Sequence, residues 1–234
     1  ATNDINTVGS ASASNFELES LILSGTSTTA RTVTINPSGG TNAFRFIGDA
    51  NTINFESGSN LSYTIANNVS FINGLTVSSG NSTLKTISGN ISGSGGLTRN
   101  GAGRAEFTGT LSFSGGLLLD SSGRTDLTGN NSFTGGVTVN QGTIVLGNDG
   151  SFGTSALTLN GGVLSNSGLF ASATPGTNSR DLTNNTTIGG NVQIINSNIQ
   201  GGNYSFAGTI NLNGGTRTIT TDFSVSTNAT SGHT

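Results

Sequence analysis

Two short stretches carry the arrangement of charged side chains most suggestive of chemistry. Arg104 and Glu106 stand two residues apart, and Arg124 and Asp126 repeat them twenty positions later. On a strand, residues two apart share a face. If successive copies stack, Glu106 and Asp126 become neighbours about 5 Å apart, the carboxylate separation of a retaining glycosidase. The competing reading is two outward Arg–carboxylate pairs in a cross-coil ladder, each contributing little where exposed. Tandem duplication of one unit accounts for the coincidence without catalysis.

Little else in the chain supports a reaction. His233 is the only histidine and stands next to the last residue, and there is no cysteine. A Ser-His-Asp constellation, a His-based metal site, a His general base and thiol chemistry are therefore not expected. Gly-rich runs such as Gly93-Ser94-Gly95-Gly96 have no following helix or adjacent lysine, so they do not form a phosphate cradle. No acidic calcium loop is present. The expectation is that there is no catalytic, cofactor or metal site. Nine Asn-x-Ser/Thr sequons (Asn60, Asn68, Asn81, Asn90, Asn130, Asn184, Asn185, Asn203, Asn228) arise by chance in a chain this rich in Asn, Ser and Thr. The Thr-x-Thr pairs Thr32/Thr34 and Thr216/Thr218 resemble an ice-binding pattern, but such a surface needs the pair on successive coils, and these are far apart.

The elements that hold these residues follow from composition. Only 8% of the 234 residues are charged, against about 25% in an ordinary soluble domain. The 37 glycines added to the 31% hydrophobic residues bring the apolar share to roughly 47%, an ordinary globular value. Ser, Asn and Gly form helices poorly and Thr prefers strands, so the chain should fold as an all-β protein. Its eight basic residues are scattered singly, which leaves no stripe for nucleic acid. No apolar run approaches the roughly 18 residues of a membrane span.

A repeat decides the architecture. Residues 103–122, GRAEFTGTLSFSGGLLLDSS, align without a gap on 123–142, GRTDLTGNNSFTGGVTVNQG, with eight of twenty positions identical. An apolar–x–apolar strand recurs at Val33-Thr34-Ile35, Ile53-Asn54-Phe55, Leu75-Thr76-Val77, Leu117-Leu118-Leu119, Val137-Thr138-Val139, Leu157-Thr158-Leu159 and Ile210-Asn211-Leu212. Ser-Phe at 70–71, 112–113, 132–133 and 205–206 lies four residues ahead of the strand. One such unit cannot bury its single apolar face alone, so neighbours must stack on it. The expected fold is a right-handed parallel β-helix, a β-solenoid of about ten coils of 20–22 residues filling 1–234 as one domain. Leu117, Val137 and Leu157 should form an apolar ladder, and Phe113 and Phe133 an aromatic one. Asp120, Asn140 and Asn160 should lie at a corner, with the Gly-Gly pairs at turns where a Cβ would clash. The register breaks once, between Leu157 and Ile188, so residues 165–187 are expected to protrude as a loop.

At residues 93–147 the run GSGGLTRNGAGRAEFTG, with NNSFTGGVTVNQGTIVLG at 130–147, resembles the autotransporter-associated β-strand repeat. The matching elements are Leu97-Thr98-Arg99, Gly101, Gly103, Asn131, Phe133-Thr134-Gly135-Gly136, Val137-Thr138-Val139 and Gly142-Thr143-Ile144; Arg104-Ala105-Glu106 departs from the family's apolar alternation. The resemblance implies a passenger-type solenoid displayed at the surface of a Gram-negative-type bacterium, a stalk, adhesin or matrix component without a shared catalytic site. The chain is then expected to be a piece of a passenger or a stand-alone secreted relative. Its start at Ala1 without any Met is what removal of a secretion signal leaves.

Three roles of different classes fit these features: a structural or adhesive surface module with a host or matrix ligand, a filament subunit stacking end to end through open strand edges, and a polysaccharide-binding or -cleaving protein. The expectation is a non-enzymatic extracellular structural protein, homo-oligomeric through its ends, with no nucleic-acid partner and no membrane span.

Overall fold

The computed structural model describes residues 15–36, 43–56, 60–166, 179–195 and 203–222. They wind as a parallel β-solenoid with three faces, visited in the order I, II, III in every coil. Face II stacks nine strands: Ser20–Leu23, Asn51–Phe55, Leu75–Ser79, Leu97–Asn100, Leu117–Leu119, Val137–Val139, Leu157–Leu159, Thr186–Ile188 and Ile210–Asn211. Face III stacks another nine, from Arg31–Ile35 through Lys85–Ile87, Ala105–Phe107, Arg124–Leu127 and Thr143–Leu146 to Ile219–Asp222. Face I holds Asn15–Leu18, Ala43–Phe46, Val69–Phe71, Ile91–Gly93 and Leu111–Phe113, and a two-stranded sheet of Arg180–Leu182 and Tyr204–Phe206 comes later in the chain.

Nine strands per long face give a rod of about 40 Å at the usual strand spacing. The sequence spacing suggests ten coils because two coils are longer than twenty residues. Leu21 pairs with Ile53, and Leu159 with Ile188. A second correction concerns Val33-Thr34-Ile35, which belongs to face III and pairs with Tyr63, Thr64 and Ile65, not with the face II strand at Ile53. Apolar–x–apolar strands occur on all three faces, so their spacing alone does not say which face each one lines.

The interior is built from ladders of like residues. Leu97, Leu117, Val137 and Leu157 stack on face II, each at most 2% exposed. Phe113 and Phe133 lie parallel, ring centroids 5.1 Å apart. Phe71 approaches Phe113 at 5.7 Å across Gly93, where a Cβ would meet the Phe71 ring at 2.8 Å. Leu119, Val139 and Leu159 form a second fully buried row.

Asparagine replaces charge at the corners. Asn68 Oδ1 accepts from the Asn90 amide at 2.9 Å, and Asn90 Oδ1 from Thr110 at 3.0 Å. Where face I loses its strand, after Leu111–Phe113, Asn131 Oδ1 accepts from the Leu111 amide and Nδ2 donates to Ser151 O, so one side chain carries the ladder. The next pass of face I is a short 3₁₀ turn, Asp149–Phe152. At the corner between faces II and III, Gly101, Gly142 and Gly162 take φ of 87°, 81° and 83°, a backbone state other residues resist. Gly95, Gly115 and Gly135 face a different constraint. A Cβ on Gly115 would lie 2.4 Å from Gly95 C, and one on Gly135 2.2 Å from Gly115 C.

The described parts of the segment 165–187, expected to protrude as a loop, belong to the solenoid strands. Ser165 closes a face III strand, Arg180–Leu182 pairs with Tyr204–Phe206, and Thr186–Ile188 pairs with Leu157–Leu159. Residues 167–178 lie outside the described residues.

Candidate functional site

The charged cluster sits on face III, where Glu106 and Asp126 are direct partners on adjacent strands, as the twenty-residue repeat requires. The two expected ion pairs do not form as separate pairs. Arg104 donates from Nε and Nη2 to Asp126 Oδ2 at 2.9 and 2.6 Å, and Arg124 donates from Nε to Oδ1 at 2.5 Å. Both guanidiniums converge on one carboxylate. Asp126 is 0% exposed, while the arginine side chains keep about a third of theirs (32% and 29%). Glu106 receives only a long bond from the Thr86 hydroxyl, 3.4 Å. The reason lies in position: Arg104 precedes its strand at the corner, so its side chain leans along the rod axis to the next coil. A carboxylate whose two oxygens are held by arginines and that has no exposed surface is not presented to a sugar carbon. The cluster is suited to clamping two coils together.

Sequence reasoning missed the cations inside the rod. Alternation turns Lys85 inward on face III and Arg99 inward on face II, and both are fully buried. Lys85 Nζ donates to Leu61 O at 2.8 Å, Asn81 Oδ1 at 2.9 Å, and the Thr83 carbonyl and hydroxyl, and lies 5.6 Å from the Tyr63 ring centroid. Burial lowers its pKa to about 8. Arg99 donates from Nη2 to Gly103 O, closing the corner it precedes, and burial lowers its pKa to about 10. Ala105, next to Lys85 in the face III ladder, leaves room that a larger side chain would take. A third cation, Arg180, donates to the carbonyls of Leu146, Gly147 and Ser179. Its pKa falls through burial, against the opposing pull of Tyr204 and Asp149. The Tyr204 hydroxyl is pushed up by burial. Each cation ends on backbone carbonyls at a turn, the signature of a corner cap. Leu97-x-Arg99 followed by Leu117-x-Leu119 is the signal that could have found Arg99, since the register puts Arg99 where the next coil has leucine.

Among the described residues no group of His, Cys, Asp and Glu could hold a metal ion, and no helix is long and apolar enough to cross a membrane. His233 lies outside the described residues. The clearest concavity is a shallow groove of about 420 Å³ lined by Asn54, Phe55, Glu56, Ser78, Ser79, Gly80 and Gly101. Five sequon asparagines, Asn60, Asn68, Asn90, Asn184 and Asn185, spend their side chains on bonds to neighbouring coils.

Compared with family models, with curated proteins and with solved structures, the chain matches none. Its surfaces therefore have to be read from their own chemistry, and the most distinctive are the two ends. Among the described residues Arg31–Ile35 pairs on one side only, with Leu61–Ile65, and Ile219–Asp222 on one side only, with Val192–Ile195. The positions that point inward elsewhere are open here: Val33 is 39% exposed where its ladder neighbour Tyr63 is 3%, and Ile219 is 43% where Val192 is 4%.

Proposed function

We propose that this protein is a non-enzymatic extracellular structural element, a surface stalk or adhesin-type rod whose units stack end to end. The observation that carries the reading is the pair of open ends. Among the described residues, Val33 at one end and Ile210, Leu212 and Ile219 at the other are four of the seven large exposed apolar side chains; Ile22, in the first coil, lies on the outer side of face II beside Asn54. An open strand edge is a template for another strand unless it is covered. A second copy continuing the ladder would set Ile219–Asp222 beside Arg31–Ile35 and Ile210–Asn211 beside Ser20–Leu23. Apolar rows would then run on through the joint, and main-chain bonds would supply the affinity.

The resemblance of residues 93–147 to the autotransporter-associated repeat supports display outside a Gram-negative-type cell. Low charge and a corner chemistry of asparagine and glycine suit a rod that needs regularity and not a catalytic cleft. The arginine clamp on Asp126 supports a mechanical reading of the charged cluster on face III.

The test is sedimentation velocity over a hundredfold concentration range, on the parent chain and on Val33→Lys/Ile219→Lys. The parent should shift to larger species as concentration rises, and the double variant should stay monomeric with an unchanged circular-dichroism spectrum. A parent that sediments as a monomer throughout would overturn the end-stacking reading.

A further inference from the structure

Face II carries a second pattern, on its outer side. Alternation turns Thr52, Thr76, Thr98, Leu118, Thr138, Thr158 and Thr187 outward, and strand pairing places them in one row, each the direct partner of the next. Beside it runs a row of Asn54, Ser78, Asn100, Asp120, Asn140 and Asn160. The Thr-x-Thr pairs apparent in the sequence are not this surface: Thr32/Thr34 sits on face III and pairs with Ser62 and Thr64. The recurring pair is Thr-x-Asn or Thr-x-Ser, and strand pairing sets its members in register.

The two rows differ in how their polar atoms are used. In the asparagine row Ser78 Oγ donates to Asn54 Oδ1 at 2.7 Å and Asn160 Nδ2 to Asn140 Oδ1 at 3.0 Å, which fixes the side chains along the rod. Threonines elsewhere also spend their hydroxyls: Thr83, Thr86, Thr128, Thr134 and Thr186 all donate to protein atoms. Among the described residues the hydroxyls of Thr76, Thr98, Thr138, Thr158 and Thr187 bond no protein atom. They are half-buried and β-branched, and each stands beside at least one other threonine of the row, so each presents one hydroxyl and one methyl with restricted side-chain freedom.

The result is a row of residues with unspent hydroxyls, one per strand at a spacing of about 4.8 Å along the rod, with the asparagine row about 7 Å to the side. Asp120 is the only charge in the two rows, and they hold no aromatic ring on which a sugar could stack. A ligand that fits must be uncharged, flat, rich in hydroxyl or water oxygens, and periodic at nearly the strand spacing. Hexagonal ice has oxygen rows close to that repeat. We propose that the outer side of face II binds ice, the hydroxyls taking up lattice positions and the methyls holding a cage of ordered water between them. Leu118 breaks the row into two blocks of three threonines, and in the first block the Thr52 hydroxyl is already shared with Ser20 Oγ at 2.9 Å.

The experiment is partition into slowly growing polycrystalline ice, scored as the ratio of protein in ice to protein in the remaining liquid. The parent chain should be enriched several-fold over a soluble control of equal size. Thr98→Lys/Thr138→Lys, outward changes that leave the core untouched, should fall to the control level with an unchanged melting curve. Ser112→Lys on face I should partition like the parent, and Leu118→Thr, which completes the row, should exceed it. Exclusion of the parent from ice overturns the proposal, as does undiminished enrichment of the folded double variant. Capture of the parent by crystalline cellulose or chitin together with exclusion from ice would assign the row to a glycan and overturn it too. None of these readouts depends on end-to-end assembly.

Discussion

Arg104 and Asp126, twenty-two positions apart in the chain, are joined across neighbouring coils by two bonds of 2.9 and 2.6 Å, and Arg124 takes the other oxygen of the same carboxylate. The clamp is asymmetric, because the carboxylate is buried and the cations reach water. Asp126 thus depends on the arginines more than they depend on it. Arg104→Met should cost little while Arg124 remains. Arg104→Met/Arg124→Met strands a buried charge and should cost about 3–5 kcal/mol in urea unfolding. A double variant as stable as the parent would contradict the buried clamp.

Val139 lies between Leu119 and Leu159 with no exposed surface. Val139→Asp places a carboxylate there without a partner, and the expected loss is several kcal/mol. Circular dichroism should show a melting temperature far below the parent's, whereas Val139→Ile should stay close to it.

Gly135 and Gly136 look equivalent in sequence and are not equivalent in space. A Cβ at Gly135 would sit 2.2 Å from the backbone of Gly115, whereas one at Gly136 comes no closer than 3.2 Å, to Ala156 O. Gly136→Ala should therefore be tolerated within about 1 kcal/mol, and the alanine already present at 156 occupies the equivalent place on the next coil. Gly135→Ala should destabilise strongly. Equal melting temperatures for the two variants would refute this packing.

Lys85 gives the rod an alkaline signature. Its folded pKa is about 8, against about 10.4 in the unfolded chain. Between these values the unfolded state holds the extra proton, so stability rises with pH across that window, and the penalty for burying the charge is fully present below about pH 8. The raised Tyr204 acts with the opposite sign, above about pH 10. Urea midpoints measured from pH 7 to 10 should climb in the parent and flatten in Lys85→Met.

Much of the fold was legible because tandem units repeat their own pattern: the Leu117–Val137–Leu157 ladder, the Phe113–Phe133 stack and the Ser-Phe marker of face I all stand where the spacing puts them. The failures share one cause. Period-two alternation says which residues lie on opposite sides of a strand, not which of three faces the strand lines, so Val33 was placed on the wrong one. Alternation also reads a polar residue as outward by default, which hid Lys85 and Arg99 and the burial of Asp126. Lys85 and Arg99 go inside because a corner a few residues away offers carbonyls, whereas Asp126 stays on the outer side of face III beside Glu106 and is buried by the two arginines that bond it. The threonine row was legible in part: Thr138 and Thr158 follow the twenty-residue repeat, whereas Thr52 and Thr187, 24 and 29 positions from their neighbours, join it only through strand pairing.

The central claim is that this rod is a building unit whose ends continue one another. Negative-stain electron microscopy at rising concentration, with light scattering alongside, tests it most directly. The account predicts unbranched filaments of constant width, with an axial repeat of about 40 Å from nine strand spacings. Short rods of one length at every concentration would contradict it.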